Sequence, residues 1–228
     1  MIKTVFLDLD ETILDFNKCE RDAICDTMRH AGVAPTDELI AHYSAVNLAQ
    51  WKLLEKKIIT RAEVRLRRFE IFFREIGVSV DVGEIADYFE NSLSKTCHFI
   101  DGAEALLPAL HEKYRVYITT NGYIKTQTGR IKASGIEKYV DGVFISQAVG
   151  ADKPSKEYFD ACAAAIPDFS RGETVIVGDS LTSDILGGIN AGIRTVWFNV
   201  RGNPPSDTIV PDETITSLDE LMPLLERM

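Results

Sequence analysis

A short segment near the amino terminus, Val5 to Leu14, constrains the fold of this chain more than any other part of the sequence. It begins as an apolar run, typical of a buried strand over residues 4–7, and passes directly into Asp8 and Asp10. Two carboxylates at the end of a buried strand repel one another and lose hydration, so the arrangement needs a cation to neutralise it. We therefore expect a Mg²⁺ site here, with one carboxylate oxygen free to act as a nucleophile. The alternative is a polar strand end that simply enters a loop.

Beyond residue 98 the sequence alternates between helix patterns and short apolar runs. Apart from the first strand, the pattern predicts strands at residues 116–120, 142–146, 174–178 and 194–198. Strands that alternate with helices are typical of an α/β fold, in which helices cover both faces of a parallel sheet. Ligands of open parallel sheets bind beyond the carboxyl ends of the strands, so the residues after each strand are the candidate site.

The region between the first and second strands has a different pattern. Residues 17–96 show helix periodicity and almost no strand pattern, with Thr60 and Glu63 forming a capping-box pattern at the start of one helix. Four predicted helices in this region can bury their apolar faces against each other as a small bundle. We therefore predict that residues 15–97, called here the helical block, are a domain inserted into a core domain of residues 1–14 and 98–228.

The amino-acid composition limits the binding partners and the cellular compartment that we expect for this chain. The net charge of −10 argues against polymeric nucleic acid as a partner, but it allows a small phosphorylated ligand in a locally positive pocket. The four cysteines form no CxxC pair, which is typical of free thiols in a reducing compartment. No apolar run has the length of a membrane span, and the chain enters a strand pattern without a signal peptide. We expect a cytoplasmic protein with no membrane partner.

The predicted strand ends carry the groups that phosphoryl transfer requires. In chain order these are Asp8, Asp10, Thr120, Asn121, Gly122, Lys153, Asp179 and Asp184. A carboxylate can attack phosphorus, and a divalent metal that bridges it to the phosphate reduces the repulsion between two anions. The Thr120 hydroxyl and the two amides that follow it can hold phosphate oxygens, while Lys153 offsets developing negative charge.

Together these motifs resemble the four signatures of the phosphatases of the haloacid dehalogenase superfamily. They stand here as Asp8-Leu-Asp10-Glu-Thr12, Thr120-Asn-Gly, Lys153-Pro and Gly178-Asp179-Ser-Leu-Thr-Ser-Asp184. The resemblance covers the whole chain and implies a Rossmann-like parallel sheet of strand order 3-2-1-4-5, with the helical block as an inserted helical-bundle cap. The presence of Asp10 disfavours dehalogenase chemistry, which has no need of that acid.

The resemblance also implies a role for each motif residue. Asp8 would be the nucleophile and a metal ligand, and Asp10 the general acid and base, whose carbonyl oxygen also binds the metal. Asp179 would bind Mg²⁺ directly, Asp184 directly or through water, and Mn²⁺ is a possible substitute. The residues implied to bind phosphate are Thr120, Asn121, Gly122 and Lys153, of which the first and last are also catalytic.

Further matches narrow the resemblance to the house-cleaning pyrimidine nucleotidases of this superfamily. They include Ala45–Asn47 with Trp51 in the helical block and Ile145–Gly150 in the core. This resemblance implies nucleoside 5′-monophosphates such as dUMP and dTMP as substrates. We predict that Asn47, Trp51 and Arg68 set substrate specificity. The alternative for Trp51 is that it packs in the core of the helical bundle without contacting a substrate. The alternative for Arg68 is that its side chain is solvated.

Three functions remain open at this point. The leading hypothesis is a Mg²⁺-dependent phosphatase that acts on small phosphate monoesters through an aspartyl-phosphate intermediate. A phosphosugar phosphatase or mutase would share all four signatures. A non-catalytic protein that binds phosphorylated ligands is the third, although binding alone does not require Asp10. We expect a monomer or a small homo-oligomer in each case.

Overall fold

The computed structural model describes residues 1–228, and its centre is a fully buried strand, β1 (Thr4–Leu7). Five more strands complete one sheet: β2 (Arg115–Thr120), β3 (Gly142–Ile145), β4 (Thr174–Gly178), β5 (Arg194–Phe198) and β6 (Glu213–Ile215). All pairings are parallel, in the order β3-β2-β1-β4-β5-β6. The predicted α/β class and strand order 3-2-1-4-5 are confirmed. The short edge strand β6 was not predicted.

Side chains of β1 alternate between the two faces of the sheet, as its buried position requires. Val5 and Leu7 belong to one apolar cluster and Phe6 to another on the opposite face. The helices that follow the strands cover both faces: α5 (Ala103–Lys113), α6 (Ile124–Ser134), α7 (Ser146–Val149), α8 (Lys156–Ala165), α9 (Leu186–Ala191) and α10 (Leu221–Leu225). None of the helices in the chain combines the length and apolar character needed to cross a bilayer.

Four helices form the region between β1 and α5: α1 (Phe16–His30), α2 (Asp37–Glu55), α3 (Arg61–Glu75) and α4 (Val82–Leu93). The predicted capping box of Thr60 and Glu63 is present at the start of α3. Their apolar faces meet in a cluster of their own, in which Tyr43 stacks on Phe69 and packs edge-on against Phe72. The division into domains at residues 14/15 and 97/98 stays a prediction.

The two segments that join the helical block to the sheet lie side by side. Leu14 forms an antiparallel bridge with Phe99, and the amide of Asp15 donates to the carbonyl of His98 at 2.8 Å. Both connections therefore leave the sheet at the carboxyl end of β1. This places the helical block directly above the predicted site.

Candidate active site

Asp8 and Lys153 form the centre of the site. The Lys153 Nζ donates to Asp8 Oδ1 at 2.6 Å, to Asp184 Oδ1 at 2.6 Å and to the Thr119 carbonyl at 2.7 Å. These bonds use all three hydrogens of an ammonium that is only 2% exposed. Burial alone would lower the pKa of Lys153, but the Asp184 and Asp8 carboxylates raise it above its ordinary value. The lysine is therefore a fixed positive charge at neutral pH.

Three carboxylates cluster around this lysine. Oxygens of Asp8, Asp179 and Asp184 lie within 4.8 Å of one another. Burial raises the pKa of Asp8 to about 7, with Lys153 opposing the shift and Asp184 and Asp10 adding to it. Burial and the charges of Asp8 and Asp184 also raise the pKa of Asp179. One ammonium does not neutralise three carboxylates, so the cluster fits a divalent cation, and its all-oxygen ligand set suits Mg²⁺ or Mn²⁺.

The loop after β4 holds two of these carboxylates in place. A Cβ on Gly178 would collide with the carboxyl group of Asp184, so only glycine lets that side chain lie against the strand end. The amide of Ser180 donates to Asp184 Oδ2 at 3.1 Å. On the next strand, the Trp197 Nε1 donates to the carbonyl of Asp179 at 2.8 Å. The spacing of the two aspartates in the sequence therefore reflects a tightly packed turn.

Of the four residues predicted to bind phosphate, three line the cavity and one does not. Thr120, Asn121 and Lys153 line the same cavity as the carboxylates. The Asn121 carboxamide bonds both the amide and the carbonyl of Lys153, each at 2.9 Å, and so fixes the lysine backbone. Gly122 does not line this cavity, and its amide donates to Ser146 Oγ at 3.1 Å. Thr120 and Lys153 are thus the side chains of this group best placed to meet a phosphate.

Asp10 lies at the edge of the cavity and is held by two residues that were not predicted from the sequence. Its Oδ1 pairs with the guanidinium of Arg130, and its Oδ2 accepts from Gln127 Nε2 at 2.8 Å. Both partners come from α6. Two polar residues at an (i, i+3) spacing on the buried face of a helix that follows the Thr120 motif were the available sequence signal.

A cavity of about 460 Å³ extends from these carboxylates to the helical block. Its wall on that side includes Phe16, Asn17, Glu20, Ser44, Asn47 and Trp51. Trp51 is therefore at the cavity surface, and its ring packs edge-on against that of Tyr123 with centroids 6.0 Å apart. Two of the three predicted specificity residues, Asn47 and Trp51, line this wall.

Arg68, the third predicted specificity residue, does not line this cavity. It is buried, not solvated, and its guanidinium lies 4.8 Å from the ring centroids of both Phe69 and Phe89. Its Nη1 donates to Asn47 Oδ1 at 3.1 Å. Arg68 can therefore influence a ligand in this cavity through Asn47, whose side chain lies at the wall.

Polar contacts join the helical block to the loops of the sheet on either side of the cavity. On one side the Lys52 Nζ donates to Thr182 Oγ1 at 3.1 Å. On the other, Arg61 Nη1 donates to the carbonyl of Gly122 at 2.8 Å, and the Tyr123 hydroxyl donates to the carbonyl of Arg61 at 2.8 Å. The cavity thus lies between strand ends that carry charged groups and helices that carry a mixed polar and aromatic surface.

Comparison with known proteins agrees with this architecture. Residues 2–192 match the family model described as haloacid dehalogenase-like hydrolase. The protein YfnB of Bacillus subtilis is 35% identical over 98% of this chain and 95% of its own length. Its crystal structure, solved with magnesium bound, matches this structure with a TM-score of 0.94 and covers 98% of both chains.

Two further relatives carry a described activity. The pyrimidine 5′-nucleotidase PynA of Streptococcus pneumoniae is 34% identical over 99% of this chain and 95% of its own. The pyrimidine 5′-nucleotidase YjjG of Escherichia coli is 34% identical over 97% of this chain and 96% of its own. The family match and these near full-length similarities show that the chain belongs to the haloacid dehalogenase-like hydrolase family.

Proposed function

We propose that this chain is a phosphatase that hydrolyses small phosphate monoesters through an aspartyl-phosphate on Asp8. The observation that carries the proposal is that Asp8 lines the cavity, belongs to the carboxylate cluster and pairs with a buried ammonium. One oxygen of Asp8 is held by Lys153, and the other accepts from the Thr12 hydroxyl at 3.2 Å. These bonds fix the orientation of the carboxylate while one of its faces meets the cavity.

We propose that a divalent metal, Mg²⁺ or Mn²⁺, is the cofactor of this reaction. The side chains of Asp8, Asp179 and Asp184, with the carbonyl of Asp10, would hold it. The raised pKa values of Asp8 and Asp179 support this assignment, because they arise first from burial and then from repulsion by neighbouring carboxylates, and a bound cation would offset both. When bound, the metal would supply positive charge that reduces the repulsion between the Asp8 carboxylate and the substrate phosphate.

The reaction then divides into two half-reactions on residues of this chain. In the first, Asp8 attacks phosphorus, the bond to the leaving oxygen breaks, and Asp10 donates a proton to that oxygen. In the second, water attacks the phosphorus of the acyl phosphate and gives a proton to Asp10, and Asp8 is released with inorganic phosphate. Thr120 and Lys153 would hold the phosphate oxygens throughout.

We propose nucleoside 5′-monophosphates, those of pyrimidines first, as the substrates. The names of PynA and YjjG support this choice. Trp51 supports it too, because an aromatic ring at the cavity wall gives a base a surface on which to stack. A cytoplasmic location, the absence of polymeric nucleic acid and membrane partners, and a monomer or small homo-oligomer remain part of this proposal.

A phosphate-release assay tests the proposal. The purified chain is given dUMP, dTMP, several sugar phosphates and p-nitrophenyl phosphate, each with and without Mg²⁺, and the Asp8→Asn variant is the control. We expect metal-dependent turnover with the highest kcat/KM for the pyrimidine nucleotides. A preference for sugar phosphates would instead support the phosphosugar alternative, and isomerised sugar phosphates a mutase. Phosphate binding without turnover would indicate the non-catalytic binding protein.

A further inference from the structure

A closed hydrogen-bond network joins α6 to two of the proposed reacting groups. Arg130 Nη1 pairs with Asp10 Oδ1 and donates to Gln127 Oε1 at 3.0 Å. Gln127 Nε2 donates to Asp10 Oδ2 and to Thr120 Oγ1, each at 2.8 Å. The two side chains therefore touch the residue proposed to transfer protons and the residue proposed to hold phosphate.

The polarity of this network follows from the chemistry of its members. A guanidinium has donors only, so the contact with Arg130 identifies the oxygen of the Gln127 carboxamide and leaves its nitrogen facing Thr120 and Asp10. That nitrogen is also a donor only, so Thr120 Oγ1 must accept from it. The single hydroxyl proton of Thr120 is then left to donate elsewhere. An oxygen of a phosphate bound in the cavity is the acceptor that such a donor suits.

The burial of Arg130 is costly for the stability of the fold. Its side chain is 0% exposed, and its Nε and Nη2 have no hydrogen-bond partner. Unpaired buried donors destabilise a fold, and buried ion pairs can often be replaced by apolar side chains without loss of stability. The acidic partner of Arg130, in contrast, is 25% exposed at the cavity edge. An arginine at this position therefore indicates a role in the function of its partner.

We propose that Arg130 and Gln127 are positioning residues for the reaction. Together they hold the Asp10 carboxylate by both oxygens at the cavity edge and orient the Thr120 hydroxyl as a donor toward the phosphate. The inference deepens the proposed phosphatase function and rests on it. Neither residue lines the cavity, so each acts on a substrate through Asp10 or Thr120.

This role predicts a dependence on the leaving group that a structural role would not produce. A nucleoside leaves as a poor alkoxide and needs a proton from Asp10, whereas p-nitrophenolate leaves without one. Loss of Arg130 should therefore reduce kcat/KM for a nucleotide far more than kcat/KM for p-nitrophenyl phosphate. General acid catalysis typically contributes about 10²–10⁴-fold, which sets the scale of the difference.

The test compares Arg130→Met, Arg130→Lys and Gln127→Met with the wild-type chain, using dUMP and p-nitrophenyl phosphate in the presence of Mg²⁺. We expect Arg130→Met to lower kcat/KM for dUMP by about 10²-fold, and by less than about tenfold for the nitrophenyl ester. Arg130→Lys keeps one charged donor and should recover part of the loss. The matched control is Thr126→Val, a nearly isosteric change of a buried, unpartnered hydroxyl on the same helix.

Double-mutant cycles separate positioning from general damage to the fold. In an Asp10→Asn background, Arg130→Met should have no further effect on kcat/KM for dUMP. In a Thr120→Val background, Gln127→Met should not weaken competitive inhibition by inorganic phosphate any further. Equal losses for both esters, full additivity in both cycles, or wild-type kinetics in Arg130→Met would each overturn the inference while the proposed function stands. A wild-type chain that hydrolyses neither ester would overturn the proposed function and this inference with it.

Discussion

Glu20 and Asn47, on different helices, are joined by a hydrogen bond of 2.5 Å from Asn47 Nδ2 to Glu20 Oε1 at the cavity wall. The other oxygen of Glu20 accepts from the Ser44 hydroxyl at 2.6 Å. Burial raises the pKa of Glu20, although these two hydrogen bonds and the charge of Arg68 oppose the shift. Glu20 is therefore a side chain that is costly to ionise. Its hydrogen bonds fix its orientation at the part of the cavity wall that the helical block supplies.

The raised pKa of Glu20 predicts a pH-dependent effect of Glu20→Gln on stability. Its pKa is higher in the folded than in the unfolded chain, so its contribution to stability is complete below the unfolded pKa and is lost as pH rises through the folded pKa. The variant does not titrate at this site and has nearly the same size. The melting temperature of Glu20→Gln minus that of the wild type should therefore be larger at pH 8 than at pH 4. An equal difference at both pH values would contradict the prediction.

Asp8→Asn should abolish turnover and leave the fold intact. The amide cannot form the acyl phosphate, while its shape still fits between Lys153 and Thr12. Phosphate release under saturating substrate measures the loss, and a melting temperature close to that of the wild type serves as the folding control. Retention of wild-type turnover by this variant would show that the reaction does not use a covalent intermediate on Asp8.

Removal of divalent metal should remove activity and lower stability. Exhaustive EDTA treatment should stop phosphate release, and Mg²⁺ or Mn²⁺ should restore it. A cation that binds only the folded chain stabilises it by about 2.7 kcal/mol at a hundred times its dissociation constant, so added Mg²⁺ should also raise the melting temperature. The Asp184→Asn variant, which weakens the carboxylate cluster, should show a smaller rise. Full activity after EDTA treatment would exclude the metal.

Trp51→Ala should change the substrate preference and spare the phosphate chemistry. A stacked base is typically worth about 1–3 kcal/mol, so the ratio of nucleotide to nitrophenyl ester kcat/KM should fall by roughly tenfold or more. Asn47→Ala should change the same ratio, and the effect of Arg68→Met should be smaller once Asn47 has been replaced by Ala. The control is Ile58→Ala in the same block, because Ile58 is 64% exposed and does not line the cavity. An unchanged ratio in all three variants would place specificity elsewhere.

The parts of the fold that follow from local chemistry were predictable from the sequence. Apolar runs that end in carboxylates located the strand ends, and their parallel alignment brought Asp8 and Asp179 together. Strand β6 was missed because its sequence, Glu213-Thr-Ile215, has too few apolar residues to be distinguished from a loop. The strand pairs only at the sheet edge, where tertiary contacts decide its conformation.

Some residues of the candidate site could not be predicted from a helix pattern, because such a pattern does not show which distant residues they contact. Periodicity shows which side of α6 is buried, but not that Gln127 and Arg130 meet Asp10 there. The same holds for Glu20, which occupies an apolar face of α1 and acquires its partners from α2. Arg68 was predicted to set substrate specificity, which stays a prediction; its position behind Asn47 did not follow from the sequence. Polar residues on buried helix faces depend on contacts between distant segments of the chain.

The chain has two tryptophans, and their positions allow intrinsic fluorescence to report ligand binding. The indole of Trp197 donates a hydrogen bond to the backbone carbonyl of Asp179. Its fluorescence should therefore change when a cation binds to the carboxylate cluster. Trp51 stands at the opposite wall of the cavity and should be quenched by a stacked base. With Trp51→Phe and Trp197→Phe, fluorescence titrations can follow the two binding events one at a time, without any added label.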